Sequence, residues 1–170
     1  MNFINILNIE RLVLSSIFFD YEQIFEVSLI LKKDDFYLKA HQDIYQVMLA
    51  LHDEGLPIDE DFIRNRVPKE DFNDNVLIEI LSAKPIVNTE AYCLEIKESS
   101  KLRKLEQQSK NIIFNVSNDK NSQDIITNIQ VNIENIENET LQQIPTIRDT
   151  IKEFKADMQK ALDGGAKILG

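Results

Sequence analysis

Between Pro85 and Pro145 the chain contains neither glycine nor proline. A stretch that long without a helix breaker, rich in Leu, Ile, Glu, Lys, Gln and Asn, leaves long helices as the economical solution. Asn88-Thr89-Glu90-Ala91 reads as a helix start. From Thr89 to about Val116 there is room for roughly seven turns, or about 40 Å at 1.5 Å per residue. Ser117-Asn118-Asp119-Lys120-Asn121 is a polar break, and Ser122 is expected to cap a return helix ending near Asn138. Two helices joined by so short a loop run antiparallel, which predicts a helical hairpin over 88–138.

The hairpin carries more apolar surface than one seam uses. Leu102, Leu105, Ile112 and Val116 are expected to face Ile126, Ile129, Ile133 and Ile136. Ile113, Phe114, Ile125 and Val131 then point elsewhere, and a bulky set on one small hairpin predicts an oligomer interface. The competing expectation is that the hairpin folds down and buries these four on the rest of the chain.

Residues 1–87 read as a head of five short helices. Asn8 is expected to cap the first, which carries Ile9, Leu12, Val13, Ile17 and Phe18. Asp20 opens the second, with Ile24, Phe25, Val27 and Leu31. The third runs from about Lys39 to Glu54, with Ile44, Val47, Met48 and Leu51 inward and Gly55 at its left-handed end. Asp59 or Asp61 caps a fourth that Pro68 stops, and Val76, Leu77, Ile80 and Leu81 mark a fifth before Pro85. The predicted fold class is all-α. Only four glycines and four prolines in 170 residues leave few turns for a strand architecture.

After a linker over 139–146, Ile147, Ile151, Phe154, Met158 and Leu162 form one apolar stripe on a charged helix over 147–163, which Gly164 and Gly165 end. Leaving five such side chains in water forgoes on the order of 10 kcal/mol. The stripe therefore calls for a docking partner outside this sequence, which is expected to be a piece of a longer chain.

The net charge of −10 excludes a free-standing duplex-DNA binder, because phosphate neutralisation needs clustered Lys and Arg. It suits protein partners instead. Cys93, the single cysteine, cannot form an internal disulfide, no basic leader opens the chain, and no apolar run approaches about 18 residues. A cytoplasmic protein with no membrane contact is expected.

Candidate constellations for chemistry are thin. His41 and His52 lie roughly 16 Å apart along a helix and cannot share a metal, so His41 is expected to be a packing or capping residue. Asp53, Glu54, Asp59, Glu60 and Asp61 straddle a turn and a helix start, where acids favour the dipole, and they lack the spacing of a calcium loop. Lys97, Lys101, Arg103, Lys104 and Lys110 are the one basic cluster. Lys97, Lys101 and Lys104 share a helix face without an interleaved aromatic, which reads as a solvated or partner-docking stripe; weak single-strand contact is the lesser reading.

Several stretches, in order, resemble the N-terminal domain of bacterial replicative DNA helicases of the DnaB family. They are Asn8-Ile9-Glu10-Arg11-Leu12-Val13-Leu14-Ser15-Ser16-Ile17, then Asp35-Phe36-Tyr37-Leu38-Lys39-Ala40-His41-Gln42-Asp43-Ile44-Tyr45 with Met48, Leu49, Leu51, Gly55, Pro57, Ile58 and Asp59. Pro85, Asn88, Tyr92 and Ile96 follow, with Ser100-Lys101-Leu102-Arg103-Lys104-Leu105 on the first hairpin helix. The likeness runs from about residue 8 to 138, and the final stripe fits the family's linker helix.

The resemblance implies an assembly module without catalysis. In the family this domain pairs with itself, three pairs forming a collar above a six-membered ATPase ring. The collar receives the helicase-binding domain of primase, a helicase loader is a further partner, and the linker helix packs on a neighbouring motor domain. ATP and magnesium belong to that motor. Two departures stand out. The family's Gly-Gly and Tyr-Leu before the fifth helix are shortened to Asn73-Asp74-Asn75-Val76-Leu77, with Val76 in the tyrosine's place. No G-x-x-x-x-G-K-[ST] motif exists, and Gly164-Gly165-Ala166-Lys167 lacks its spacing. The alternative from a different class is a stand-alone helical adaptor that captures a protein through the Ile147–Leu162 stripe. A helical hydrolase is disfavoured, because no nucleophile–base pair assembles by spacing.

Overall fold

Apolar residues at helical spacing dominate the chain, and the computed structural model, which describes residues 3–68, 73–118 and 120–141, is helical throughout with no strand among them. The helices are α1 (Phe3–Phe19), α2 (Gln23–Ile30), α3 (Lys39–Asp53), α4 (Glu60–Arg66), α5 (Asp74–Ser82), α6 (Thr89–Ser117) and α7 (Ser122–Leu141), with one 3-10 turn at Lys33–Asp35. The chain divides into two units, residues 1–107 and 108–170.

In the first unit α1 lies against α2, α3 and α5, and α3 also meets α2 and α4. The core is built from the inward stripe of each: Ile6, Val13, Leu14 and Ile17 of α1, Ile24 and Val27 of α2, Ile44, Tyr45, Met48 and Leu51 of α3. Ile63, Leu77 and Ile80 close it from α4 and α5, and Cys93 and Ile96 of α6 complete it. This last contribution moves the boundary. The head extends to Gln107 rather than stopping at residue 87, because the first half of α6 supplies part of its core. α1 begins at Phe3, five residues before the expected cap, and Asn8 lies inside the helix accepting a hydrogen bond from Arg11. The physical reason is Ile6, whose burial carries the apolar stripe a turn and more towards the N-terminus.

The polar residues between helices do the capping that their types allow. Asp59 accepts from Phe62 N at 2.9 Å, Asn73 from Asn75 N at 2.9 Å and Asn121 from Gln123 N at 2.8 Å. At the end of α3, Leu56 N donates to Leu51 O at 2.8 Å and Gly55 N to His52 O at 3.0 Å, the paired bonds of a Schellman ending. Gly55 sits at φ +67°, and a Cβ there meets nothing within 4 Å. Gly55→Ala is therefore expected to cost about 1–2 kcal/mol from backbone conformation alone, and Gly55→Asn less. Chemical denaturation measures this, and an alanine variant as stable as the parent would refute it.

The second unit is an antiparallel pair made by the last turns of α6 and by α7. Gln108, Ile112 and Asn115 are the less exposed positions of the first helix of this pair, and Ile125, Ile129, Asn132 and Ile136 those of the second. Asn132 Nδ2 donates to Gln108 Oε1 at 3.0 Å, which fixes the pairing. The seam differs from the expected one: Val116, Ile126 and Ile133 are exposed, and Ile125 is buried. A seam advancing by four, three and four residues takes in the polar Asn132, so the isoleucines on either side of it divide between two faces. The helix also continues to Leu141, three residues into the expected linker, while residues 142–146 of that linker lie outside the described residues.

Candidate assembly and docking surfaces

Two buried carboxylates hold the segment from Asp35 to His41. Glu10 projects from α1 and is fully buried. Its carboxylate accepts from Tyr37 N, from Leu38 N at 3.4 Å and from His41 Nδ1 at 2.7 Å. The two amide bonds pin the backbone of Tyr37 and Leu38 immediately ahead of α3. His41, at 0% exposure, has the packing role expected of it.

Asp35 works from the other side. Its carboxylate accepts from Lys97 Nζ at 2.7 Å, Ser100 Oγ at 2.8 Å and Lys32 N at 2.8 Å. Its backbone carbonyl accepts from Arg103 Nη2 at 2.6 Å, and the same guanidinium lies 5.3 Å from the centre of the Tyr37 ring. Burial lowers the Arg103 pKa, opposed by the charges of Glu10 and Asp35. Phe36 and Tyr45 pack with ring centres 4.9 Å apart, and the Tyr45 hydroxyl donates to Leu31 O at 3.1 Å. Burial holds that hydroxyl well above the usual tyrosine range and pushes the Cys93 thiol up to about 12. Cys93 is thus a protonated core residue rather than a reactive thiol.

This arrangement corrects the basic stripe. Lys97 is buried against Asp35 and cannot contribute to docking. Its neighbours on α6 explain why: Cys93, Ile96 and Ser100 place position 97 inside the inward face. Lys101 is partly exposed, 3.9 Å from Glu98, and Lys104 is likewise at the surface in part.

Of the four expected interface residues, Ile113, Phe114 and Val131 are exposed in the second unit, at 67%, 64% and 50%. Ile125 is buried and leaves that set, because it belongs to the seam. Val116, Ile126 and Ile133, assigned to the interior from sequence, replace it on the outside. The stripe of Ile147, Ile151, Phe154, Met158 and Leu162 lies outside the described residues. Among the described residues no group of His, Cys, Asp or Glu is placed to hold a metal, and no helix is long and apolar enough to cross a membrane.

The fold has counterparts among solved structures. A structure of the N-terminal domain of DnaB helicase from Helicobacter pylori, presented with its interactions with primase, superposes with a TM-score of 0.65 at 38% identity, covering 69% of this chain and 99% of that one. The N-terminal domain of DnaB helicase from Mycobacterium tuberculosis gives a TM-score of 0.67 at 22% identity over 76% of this chain and 96% of that one, a likeness of fold. In sequence, the replicative DNA helicase DnaB of Helicobacter pylori (strain J99) is 43% identical over 99 residues, 58% of this chain and 20% of its own length. The replicative DNA helicase DnaC of Bacillus subtilis (strain 168) is 34% identical over 102 residues, 56% of this chain and 22% of its own length. The chain thus spans about a fifth of the length of these curated relatives. The family profile for the DnaB-like helicase N terminal domain matches residues 3–98, a range that contains Glu10, Asp35, His41 and Lys97 alike. With more than half its length matched and the all-helical architecture shared, the chain belongs to the DnaB-like helicase N-terminal domain family.

Proposed function

We propose that this chain is the collar domain of a replicative DNA helicase, assembling subunits through its hairpin and offering a docking surface to primase or a helicase loader. The observation that carries the reading is the exposed apolar set of the second unit: Ile113, Phe114 and Val116 on α6, with Ile126, Val131 and Ile133 on α7. Six half-exposed side chains forgo on the order of 1 kcal/mol each, and an isologous pairing of two copies recovers that from both sides. The gain is comparable with the roughly 4–15 kcal/mol cost of association. Self-association of the isolated chain is therefore concentration-dependent, and a full ring needs the parent protein's ATPase domain as well.

Catalysis has no place in this domain: the ATP-dependent helicase activity, with its magnesium, resides in the rest of the parent. The Ile147–Leu162 stripe serves as the linker helix that docks on a neighbouring motor domain. Support for primase as a partner comes from the Helicobacter pylori relative, whose structure is presented with its primase interactions. Lys101 and Lys104 are proposed to lie at the rim of that contact. Titration calorimetry with the helicase-binding domain of the same organism's primase tests this. Binding is expected, and Lys101→Glu with Lys104→Glu weakens it several-fold at low salt, mainly through association rate. Absence of any binding heat across temperatures contradicts the primase assignment.

A further inference from the structure

We infer that the α1–α2 corner of the head is a separate docking surface, shaped for a basic amphipathic helix of another protein. Phe19, Tyr21 and Phe25 stand 63%, 63% and 62% exposed on one short stretch of backbone. Asp20 N bonds to Ser16 O at 2.9 Å, Gln23 N to Asp20 O at 3.0 Å, Ile24 N to Tyr21 O at 3.2 Å and Phe25 N to Glu22 O at 3.2 Å, so the three rings stand on a tight connection that joins the end of α1 to the start of α2. A fourth apolar group joins them. Ile86 N donates to Ser16 Oγ and Thr89 Oγ1 to Gln23 Oε1, both at 2.9 Å, which brings the segment carrying fully exposed Val87 to this corner.

The surrounding charge is mostly acidic. Leu12 to Leu31 and Pro85 to Ile96 contain no lysine or arginine, yet they hold Asp20, Glu22, Glu26, Glu90 and Glu95, all exposed. Of the two lysines bounding the second stretch, Lys97 is committed to Asp35, and Lys84 remains at the edge. The Thr89–Gln23 bond brings the start of α6, with Glu90, beside α2, which carries Glu26.

Aromatic rings inside an acidic rim complement a helix with apolar anchors at three- and four-residue spacing flanked by Lys or Arg, whose cations also stack on exposed rings. A second copy of this chain is the wrong occupant, since its own corner would set acid against acid. An anionic lipid surface is repelled for the same reason. The inference does not rest on the collar reading.

The test is fluorescence anisotropy of a labelled helical peptide of about four turns, leucine on one face and lysine on the other, titrated with the full chain. Binding is expected. Phe19→Ser with Phe25→Ser, shown to be folded by circular dichroism, weakens it about tenfold or more. Glu22→Gln with Glu26→Gln weakens it several-fold, and Ile113→Asp with Phe114→Asp leaves it unchanged. No binding, equal binding by the Phe19/Phe25 variant, or equal binding of a leucine–glutamate peptide overturns the proposal. So does a Phe19/Phe25 variant that loses self-association in light scattering, which would make the corner a contact between copies.

Discussion

Asp35→Ala is expected to cost the head about 3–5 kcal/mol, the usual loss when one partner of a buried ion pair is removed and the other left uncompensated. Both side chains are almost fully buried, at 2% and 8% exposure for Asp35 and Lys97. The substitution also strands the Ser100 hydroxyl and the Lys32 amide, each at 2.8 Å from the carboxylate in the native head. A domain of this size is stable by about 5–15 kcal/mol in total, so the variant should melt far below the parent. Lys97→Met should cost less, because the Asp35 carboxylate keeps its other two donors. Circular dichroism melts of the three proteins check the order. Equal melting temperatures for parent and Asp35→Ala would mean that the ion pair does not hold α6 to the head.

Glu10→Ala is the second large effect, expected at about 3 kcal/mol or more. One carboxylate serves Tyr37 N, Leu38 N and the His41 ring, and the alanine leaves the buried imidazole and two partly buried amides without it. It should also fray the entry to α3, because Tyr37 and Leu38 immediately precede its first residue, Lys39. Amide hydrogen exchange reads this directly: Tyr37 and Leu38 should lose protection while Leu51 and Met48 retain theirs. Unchanged protection at Tyr37 and Leu38 would show that Glu10 is a passenger in the core.

These two acids explain what was legible in the sequence. The stretch from Asp35 to Tyr45 is the most specific part of the resemblance, and in the fold its polar members are the fastenings: Asp35 holds α6, and His41 meets Glu10 of α1. The helices themselves follow from spacing and caps, and Gly55, Asp59 and the α6 start fall where local chemistry puts them. The partners of Asp35 were not legible, since Lys97 and Ser100 lie 62 and 65 residues away along the chain. Taken only with Lys101 and Lys104, Lys97 looks like a member of a wet basic face. Read with Cys93, Ile96 and Ser100, it falls on the buried one.

The hairpin was harder for a different reason. α7 carries apolar residues at Ile125, Ile126, Ile129, Val131, Ile133 and Ile136, enough for more than one face at helical period. The Asn132–Gln108 bond selects the seam, and two amides on a half-buried face give no hydrophobic signal. The consequence is functional: the face left exposed carries Val116, Ile126 and Ile133 in addition to Ile113, Phe114 and Val131.

The most direct test of hairpin-mediated assembly is solution mass by light scattering, up to about 100 µM, where contacts of micromolar strength are populated. The native chain is compared with Ile113→Asp combined with Phe114→Asp. The native chain is expected to show a mass that rises with concentration to a dimer or beyond, and the variant to remain a folded monomer throughout. A native chain that stays monomeric over the whole range, or a variant that assembles just as well, would contradict hairpin-mediated assembly.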